Sequence, residues 1–487
     1  MGARLATLVL IFSFTLLNIY RAATQSITMD EAYTYLSFVK PTLAEILTHY
    51  DANHHVLHSL LCKASTGLFG VSELTLRLPS IAGGVLYFFS VLWICRLLLG
   101  DGWASVLCLS ILILNPLVLD FSSVARGYSL GMGFLFLGVW GLLLQLREDK
   151  VQIRWRRLAF IGISLGLSIS SVLTFVFPVA ASLCMFAILT FSRGSRLYKQ
   201  RLADLAALVV PAVTIAFVIN FGPLSRATRD RFVIGFGSIF ETLRNTLFHF
   251  LRHHSSAIGV WRWQIDPVEW LYPVCRVAVL LVLAVSAVFL LAHSTKRIRF
   301  LRSEAIFLSG VLIVTVTILV AAHRYFGILY PVARTAIYFV PLVVLTTTAI
   351  LENLCDKPKL QLAWLPLSVL SGLLLVHFIM QVNMTYYNHW RFDAGTRDIA
   401  RFLAAQTPAG RRTKIIASGT LVPCLNFYRE TNKLRGWEPV EGPNGNSRLA
   451  SADYVVIDPG DSIRISSKDL APIFIERLSG AFVAVHR

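Results

Sequence analysis

Two adjacent acids, Asp30 and Glu31, follow the first long apolar stretch of the chain. A carboxylate there sits where an emerging membrane helix meets water, and it can accept a proton from a substrate held at the membrane surface. A polar run ending in Asn53-His54-His55 comes next, with His58 one turn on. Asp120, Arg126 and Tyr128, and later Arg324 and Arg334, stand in or beside short links between apolar runs. Acids, imidazoles and guanidinium groups gathered on one face are what group transfer from an anionic, lipid-linked donor requires. The carboxylate takes a proton from an acceptor hydroxyl or amine, the acceptor attacks the anomeric carbon of a sugar, and a lipid phosphate departs. Departing charge needs fixed cations, and the planar fork of arginine offers phosphate two hydrogen bonds. Arg126 and Arg334 are the preferred candidates.

Each of these residues has a plainer reading. Thr28-Met29-Asp30-Glu31 has the spacing of a capping box, in which a threonine hydroxyl and a glutamate carboxylate satisfy the free amides of a helix start. The two readings are compatible if Glu31 caps while Asp30 faces substrate. Arginines at a boundary also snorkel toward water. His54 and His58, at i and i+4, share a helical face, and Asp51 stands near enough to offer a third ligand, so a divalent metal is the alternative use of this stretch. His54-His55-Val56-Leu57-His58 lacks the glutamate of the zinc-protease motif, however, and a metal site needs a third ligand and a supporting shell. Hydrogen bonding to substrate is the preferred role, and no cofactor is assigned.

The elements that position these residues are membrane helices. Of 487 residues 55% are hydrophobic and only 15% charged, and the mean hydropathy of +0.65 is far from that of a soluble domain. The formal charge of +18 falls mostly in short loops between apolar runs, as the positive-inside rule places it, so nucleic acid is excluded as the partner it implies. Seven scattered cysteines show neither a disulfide framework nor a zinc-ligand spacing.

Spans are expected at Leu5–Tyr20, Leu78–Leu99, Trp103–Leu119, Tyr128–Leu146, twice within Leu158–Phe191, and at Leu205–Phe221, Leu271–Ala292, Ala305–Ala322, Ala336–Leu351 and Leu360–Met380, about eleven in all. Basic clusters at Arg147 to Arg157, Arg193 to Arg201 and Lys296 to Arg302 fall on one side, which puts the amino terminus inside and the carboxyl terminus outside. The polar clusters then share the external face. Leu43–Leu61 reads as an interfacial helix. A polar loop of about fifty residues before Leu271, carrying Arg226, Arg229, Arg231, His253, His254, Trp261 and Trp263, is a candidate for function.

From Gln381 the composition becomes that of a soluble domain. Strands are expected near Thr413–Ala417, Ala452–Asp458 and Ala481–Val485 and a helix over Arg397–Ala405, giving a small external α/β domain over 381–487 after a membrane domain over 1–380. Nothing in its sequence points to catalysis.

Five stretches occur in an order that resembles bacterial GT-C glycosyltransferases, the class related to protein O-mannosyltransferases and the lipid A aminoarabinose transferase. They are Asp30-Glu31-Ala32-Tyr33, Asn53-His54-His55-Val56-Leu57, Phe69-Gly70-Val71-Ser72-Glu73, Leu76-Arg77-Leu78-Pro79-Ser80 and Ala125-Arg126-Gly127-Tyr128-Ser129-Leu130. Arg334-Thr335 is the best later match. The resemblance implies an integral protein of the bacterial plasma membrane with an external active site. It also implies a polyprenyl-phosphate sugar donor, a lipid, glycan or protein acceptor, and inversion at the anomeric carbon. Asp30 takes the place of the acid in the first external loop, His55 that of the histidine in the second stretch, and Arg126 that of the arginine in the Ala125-Arg126-Gly127 stretch. Ser123 and Val124 stand where relatives often carry an acid or amide, leaving Asp120 as a weak substitute. The alternative is a transporter or flippase, but transporters keep ionisable residues near the bilayer midplane, and the mid-span positions here are almost entirely apolar.

Overall fold

The computed structural model describes residues 2–147, 154–192, 197–227, 235–251, 267–294, 302–354, 364–407, 412–443, 451–460 and 470–487. Within these the chain is mainly helical, and 8 helices are long and apolar enough to cross a membrane. This is a polytopic membrane protein. The Arg154–Ser171, Trp103–Ile113 and Trp364–Gln381 helices pack among them. Tyr198–Leu224 has only 11% of its apolar window buried. It exposes Val210, Val213, Phe217 and Phe221, which is the face a lipid-contacting helix presents.

The centre of the bundle is the pair Glu73–Leu99 and Tyr128–Arg147. Ser72 starts the first with a capping box to Thr75, and Gly100 ends it at a φ of 72°, the left-handed region where glycine carries no steric penalty. The two helices touch through small residues. A Cβ on Gly83 would lie 2.5 Å from the Leu130 amide nitrogen, so this crossing requires glycine. Because Tyr128 begins one helix and Arg147 ends it, the helix carries the Arg126 loop at one end and the Arg147–Glu304 ion pair at the other. Likewise Phe339–Leu354 starts one turn beyond Arg334 and ends near Glu352, which pairs with Arg302 at 3.1 Å.

Two expectations need correction. Leu43–Leu61 is not one helix. A short turn over Leu43–Ile46 and a second helix over Val56–Phe69 flank a loop, because Asp51 accepts from the Asn53 amide (2.8 Å) and its carbonyl from the His54 amide (3.0 Å), closing a turn. The terminal sheet has four strands rather than three: β1 (Ile415–Ala417), β2 (Tyr454–Ile457), β3 (Leu470–Ile475) and β4 (Phe482–His486), in the order β1-β2-β4-β3. β1 and β2 run parallel and the other pairings antiparallel. β3 is an edge strand bulged between Pro472 and Phe474, and its proline hides it from pattern reading. Lys150, Arg193, Arg196, Lys296, Arg297 and Arg299, and the loop residues Arg229, Arg231, His253, His254, Trp261 and Trp263, lie outside the described residues.

Candidate active site

Glu31 is fully buried and its two oxygens are occupied. It closes the capping box at the head of the Met29–Thr34 helix, accepting from the Thr28 amide at 2.8 Å. It also receives Arg77 Nε at 2.8 Å and Nη2 at 2.7 Å, and the Ala125 amide at 2.5 Å. The remaining Arg77 donors go to the carbonyls of Ala22, Gln25 and Ser26. Glu31 therefore ties the end of the first helix, the start of Glu73–Leu99 and the loop before Arg126 into one knot, and Asp30 is left to face the other way.

Asp30 faces two arginines. Arg334 Nη1 donates to its Oδ2 at 2.7 Å, and Arg126 and Asn53 stand close enough to act on its charge. Burial pushes the Asp30 carboxyl up, but Arg126 and Arg334 together hold it below its ordinary value. The Asp30 side chain is 8% exposed and that of Arg334 23%, so the arginine is the member of the pair nearer solvent. Its position comes from a 3-10 turn over Ala333–Ala336, braced by the Ala333 amide on Asn245 Oδ1 (3.0 Å) and by Thr174 Oγ1 on the Thr335 carbonyl (2.9 Å). The Arg334 guanidinium lies over the Trp390 ring at 5.7 Å.

Arg126 is buried and donates from Nη1 to Thr34 Oγ1 (2.9 Å) and from Nη2 to Asn53 Oδ1. Its main chain is held by Ser80, whose hydroxyl accepts from the Arg126 amide at 3.1 Å, and His58 Nε2 lies 3.0 Å from the same hydroxyl. Gly127 lets the loop pass against His55, since a Cβ there would lie 3.1 Å from the His55 Cβ. Tyr128 is buried, with its ring edge-on to His55 (5.1 Å) and Phe121 (4.8 Å).

Among the described residues, three buried nitrogens around this cluster have no hydrogen-bond partner: Arg126 Nε, His55 Nε2 and His54 Nε2. Unmade hydrogen bonds on buried groups are costly, and at such a place they mark where a ligand oxygen fits. Burial, reinforced by Arg126, holds the His55 imidazole well below its ordinary value, so it is neutral here.

The structure thus joins Asp30, Asn53, Arg126 and Arg334, with His55 and Tyr128 against them. Arg324, one turn from the end of Ser303–Phe326, is exposed and has no contact with the cluster among the described residues. Asp120 is not beside Arg126. It pairs with buried Arg21 at 2.6 Å and accepts from the Asn388 amide at 2.9 Å. The proposed metal constellation does not assemble either. His54 stacks on Phe38 at 4.2 Å with Nδ1 on the His49 carbonyl, His58 turns to Ser80, and Asp51 receives the Tyr33 hydroxyl. Among the described residues no group of three or more His, Cys, Asp or Glu side chains is placed to hold a metal ion.

Arg21, Arg77, Thr34, Ser80 and Trp390 were not singled out by sequence reasoning. Arg77 and Ser80 lie inside Leu76-Arg77-Leu78-Pro79-Ser80, so the motif was the available signal. Trp390 had none.

An apolar cavity of about 850 Å³ runs along Phe339–Leu354, and no residue of the Asp30 cluster is among its walls. Leu107, Leu247, Cys275, Val279, Val343 and Leu374 are among its walls. It extends from Phe339, one turn past the Arg334 turn, to Glu352, a distance of about 20 Å along the helix.

No family model and no curated protein matches the chain. Among solved structures it is similar to ArnT from Cupriavidus metallidurans bound to undecaprenyl phosphate, at 14% identity and a TM-score of 0.45, over 98% of this chain and 97% of that one. It is also similar to the Archaeoglobus fulgidus oligosaccharyltransferase in complex with Zn and sulfate, at 14% identity and a TM-score of 0.47, over 98% of this chain and 73% of that one. At these levels the residues of the site themselves have to carry the functional reading.

Proposed function

We propose that the protein is a glycosyltransferase that moves a sugar from a polyprenyl-phosphate donor to an acceptor hydroxyl or amine at the external membrane face. One observation carries this reading: a buried aspartate meets two arginines brought from distant segments of the chain. Asp30 takes the acceptor proton as the acceptor oxygen or nitrogen bonds to the anomeric carbon. The bond from that carbon to the phosphate oxygen breaks, and the electron pair leaves with the lipid phosphate, giving inversion in a single displacement. Arg126 and Arg334 hold the developing phosphate charge. Asn53 orients Arg126, and His55 Nε2 offers a hydrogen bond to a donor oxygen. The apolar cavity along Phe339–Leu354, which starts one turn past the Arg334 turn, is the candidate for the polyprenyl chain.

Arg334 has to serve two anions in turn. While it holds Asp30 the carboxylate is a weak base. When the donor phosphate draws the guanidinium away, the carboxyl rises toward its ordinary value and becomes able to take a proton.

On this reading the bundle has about eleven spans with its amino terminus inside: the eight long helices, Arg154–Ser171, Trp364–Gln381, and Trp103–Ile113 together with Pro116–Phe121 as one crossing. Residues 1–380 form the catalytic membrane domain, and 381–487 an external α/β domain of a bacterial plasma-membrane enzyme. The test is to incubate the purified protein in nanodiscs with a panel of undecaprenyl-phosphate hexoses and pentoses and follow donor loss by mass spectrometry. Release of undecaprenyl phosphate with sugar on an acceptor or on water supports the reading. Movement of intact donor across the membrane without breakdown would establish the flippase instead.

A further inference from the structure

Asp393, in the segment after the last membrane helix, plays no part in the chemistry above, yet it is almost fully buried beside the Asp30 loop. Its Oδ2 receives the Met29 amide at 2.6 Å. Met29 is the first residue of the Met29–Thr34 helix and the immediate neighbour of Asp30. A free amide at a helix start needs an acceptor, and here the acceptor comes from 364 residues away. Other parts of the same terminal segment close over the loop. Tyr428 Oη accepts from the Ile27 amide (2.9 Å), and Arg397 Nη1 donates to the Thr24 carbonyl (2.8 Å). Trp390, which lies under the Arg334 guanidinium, belongs to the same 3-10 stretch as Asp393, Asn388–Asp393.

Resting on the transferase reading, we propose that Asp393 is a positioning residue: its side-chain oxygen clamps the Met29 amide and thereby holds Asp30 between Arg126 and Arg334. The groups that face Asp393 favour its protonated form. Burial pushes the Asp393 carboxyl well above the ordinary carboxylate value, and Glu31 and Asp30 push the same way. The Met29 amide and Arg77 oppose without reversing this. Cys424, from the neighbouring Val422–Thr431 helix, has its thiol pushed up by burial and adds no charge. A carboxylate base so close to Asp30 would repel it, whereas a protonated acid anchors the loop at no electrostatic cost.

The role predicts a contrast between two substitutions. Asp393→Asn keeps an acceptor oxygen and the neutral state, so kcat stays near wild type. Asp393→Ala frees the helix start and lets Asp30 drift from the arginines, lowering kcat by about a hundredfold while KM for the donor changes by less than about threefold. The acidic limb of kcat/KM also moves to higher pH, by about one unit, because the drifting carboxyl loses the arginines that held its pKa down. A purely structural residue would change yield and melting temperature without moving that limb. The measurements use the full-length protein in nanodiscs with the same undecaprenyl-phosphate sugar panel, alongside hydrogen exchange of the amides of residues 29–34.

Faster exchange there in Asp393→Ala, together with the shifted limb, supports the clamp. Unchanged exchange, an unmoved limb, or an Asp393→Asn variant as impaired as the alanine each overturns it. If Asp393→Ala does not fold, activity and exchange of Asp393→Asn still decide, since loss in that isostere contradicts a neutral clamp. A wild-type protein inert toward every donor refutes the transferase reading alone, and the exchange result on residues 29–34 then stands by itself for or against the clamp.

Discussion

Arg334 Nη1 lies 2.7 Å from Oδ2 of Asp30, although 304 residues of chain separate them. On the proposed function this ion pair is the resting state, and the donor phosphate is the anion that would compete for Arg334 and make Asp30 more basic once substrate is in place. Two acidic limbs should therefore differ. The kcat/KM profile, which reports free enzyme, should stay flat until pH falls through the depressed Asp30 value, below the ordinary aspartate range of about 3.9. The kcat profile, which reports the complex, should begin to fall at a higher pH. Stopped assays across pH 3 to 8 measure both, and a kcat limb at or below the other contradicts the exchange.

Asp30→Asn keeps a side chain that accepts from Arg334 but cannot take a proton. Its kcat is expected to drop by about a hundredfold or more, with binding of undecaprenyl phosphate, measured by native mass spectrometry, little changed. Transfer at wild-type speed in a normally inserted variant excludes Asp30 as the base.

Arg334→Lys replaces a fork with a point charge that can reach phosphate or Asp30 through single contacts only. The variant should lose about tenfold or more in kcat/KM, and Arg334→Ala more still. Equal losses in kcat and kcat/KM would mark the interaction as one made in the transition state.

Glu31→Gln addresses the neighbouring acid and should act through stability. The change leaves the Arg77 guanidinium buried without its counter-charge, a loss of about 3–5 kcal/mol. Lower yield and a lower melting temperature are expected, and a variant as stable as wild type would show that the Arg77 knot does not hold the loop.

Acid should weaken the protein through its buried histidines. Burial lowers His58 to about 3 and His54 to about 4, whereas an unfolded histidine titrates near 6.5. Between those values the unfolded chain binds more protons than the folded one, so this stability is complete above about pH 6.5 and is lost as pH falls toward 3 or 4. Scanning fluorimetry at pH 7.5 and pH 5 should show the drop, and the His58→Gln variant should show a smaller one.

Much of the fold could be read because membrane helices announce themselves by length and apolarity. The capping box was legible too, since Thr28 and Glu31 are three residues apart and the contact is local. Partners set by tertiary packing were harder. Asp120 lies in the short Pro116–Phe121 helix, six residues before Arg126, yet its salt bridge is to Arg21, 99 residues earlier. Asp393 carries no pattern of its own, because only the packed fold brings it to the Met29 amide. The apparent metal spacing of His54 and His58 dissolved for a similar reason. Two residues share a helical face only inside a helix, and the helix begins at Val56.

The reach of these contacts also sets an order of events during synthesis. Asp30 leaves the ribosome early, Arg334 follows late, and the Asp393 clamp emerges later still. No nascent intermediate can hold Asp30 between its arginines, so whatever this site does begins only once the polypeptide is nearly finished.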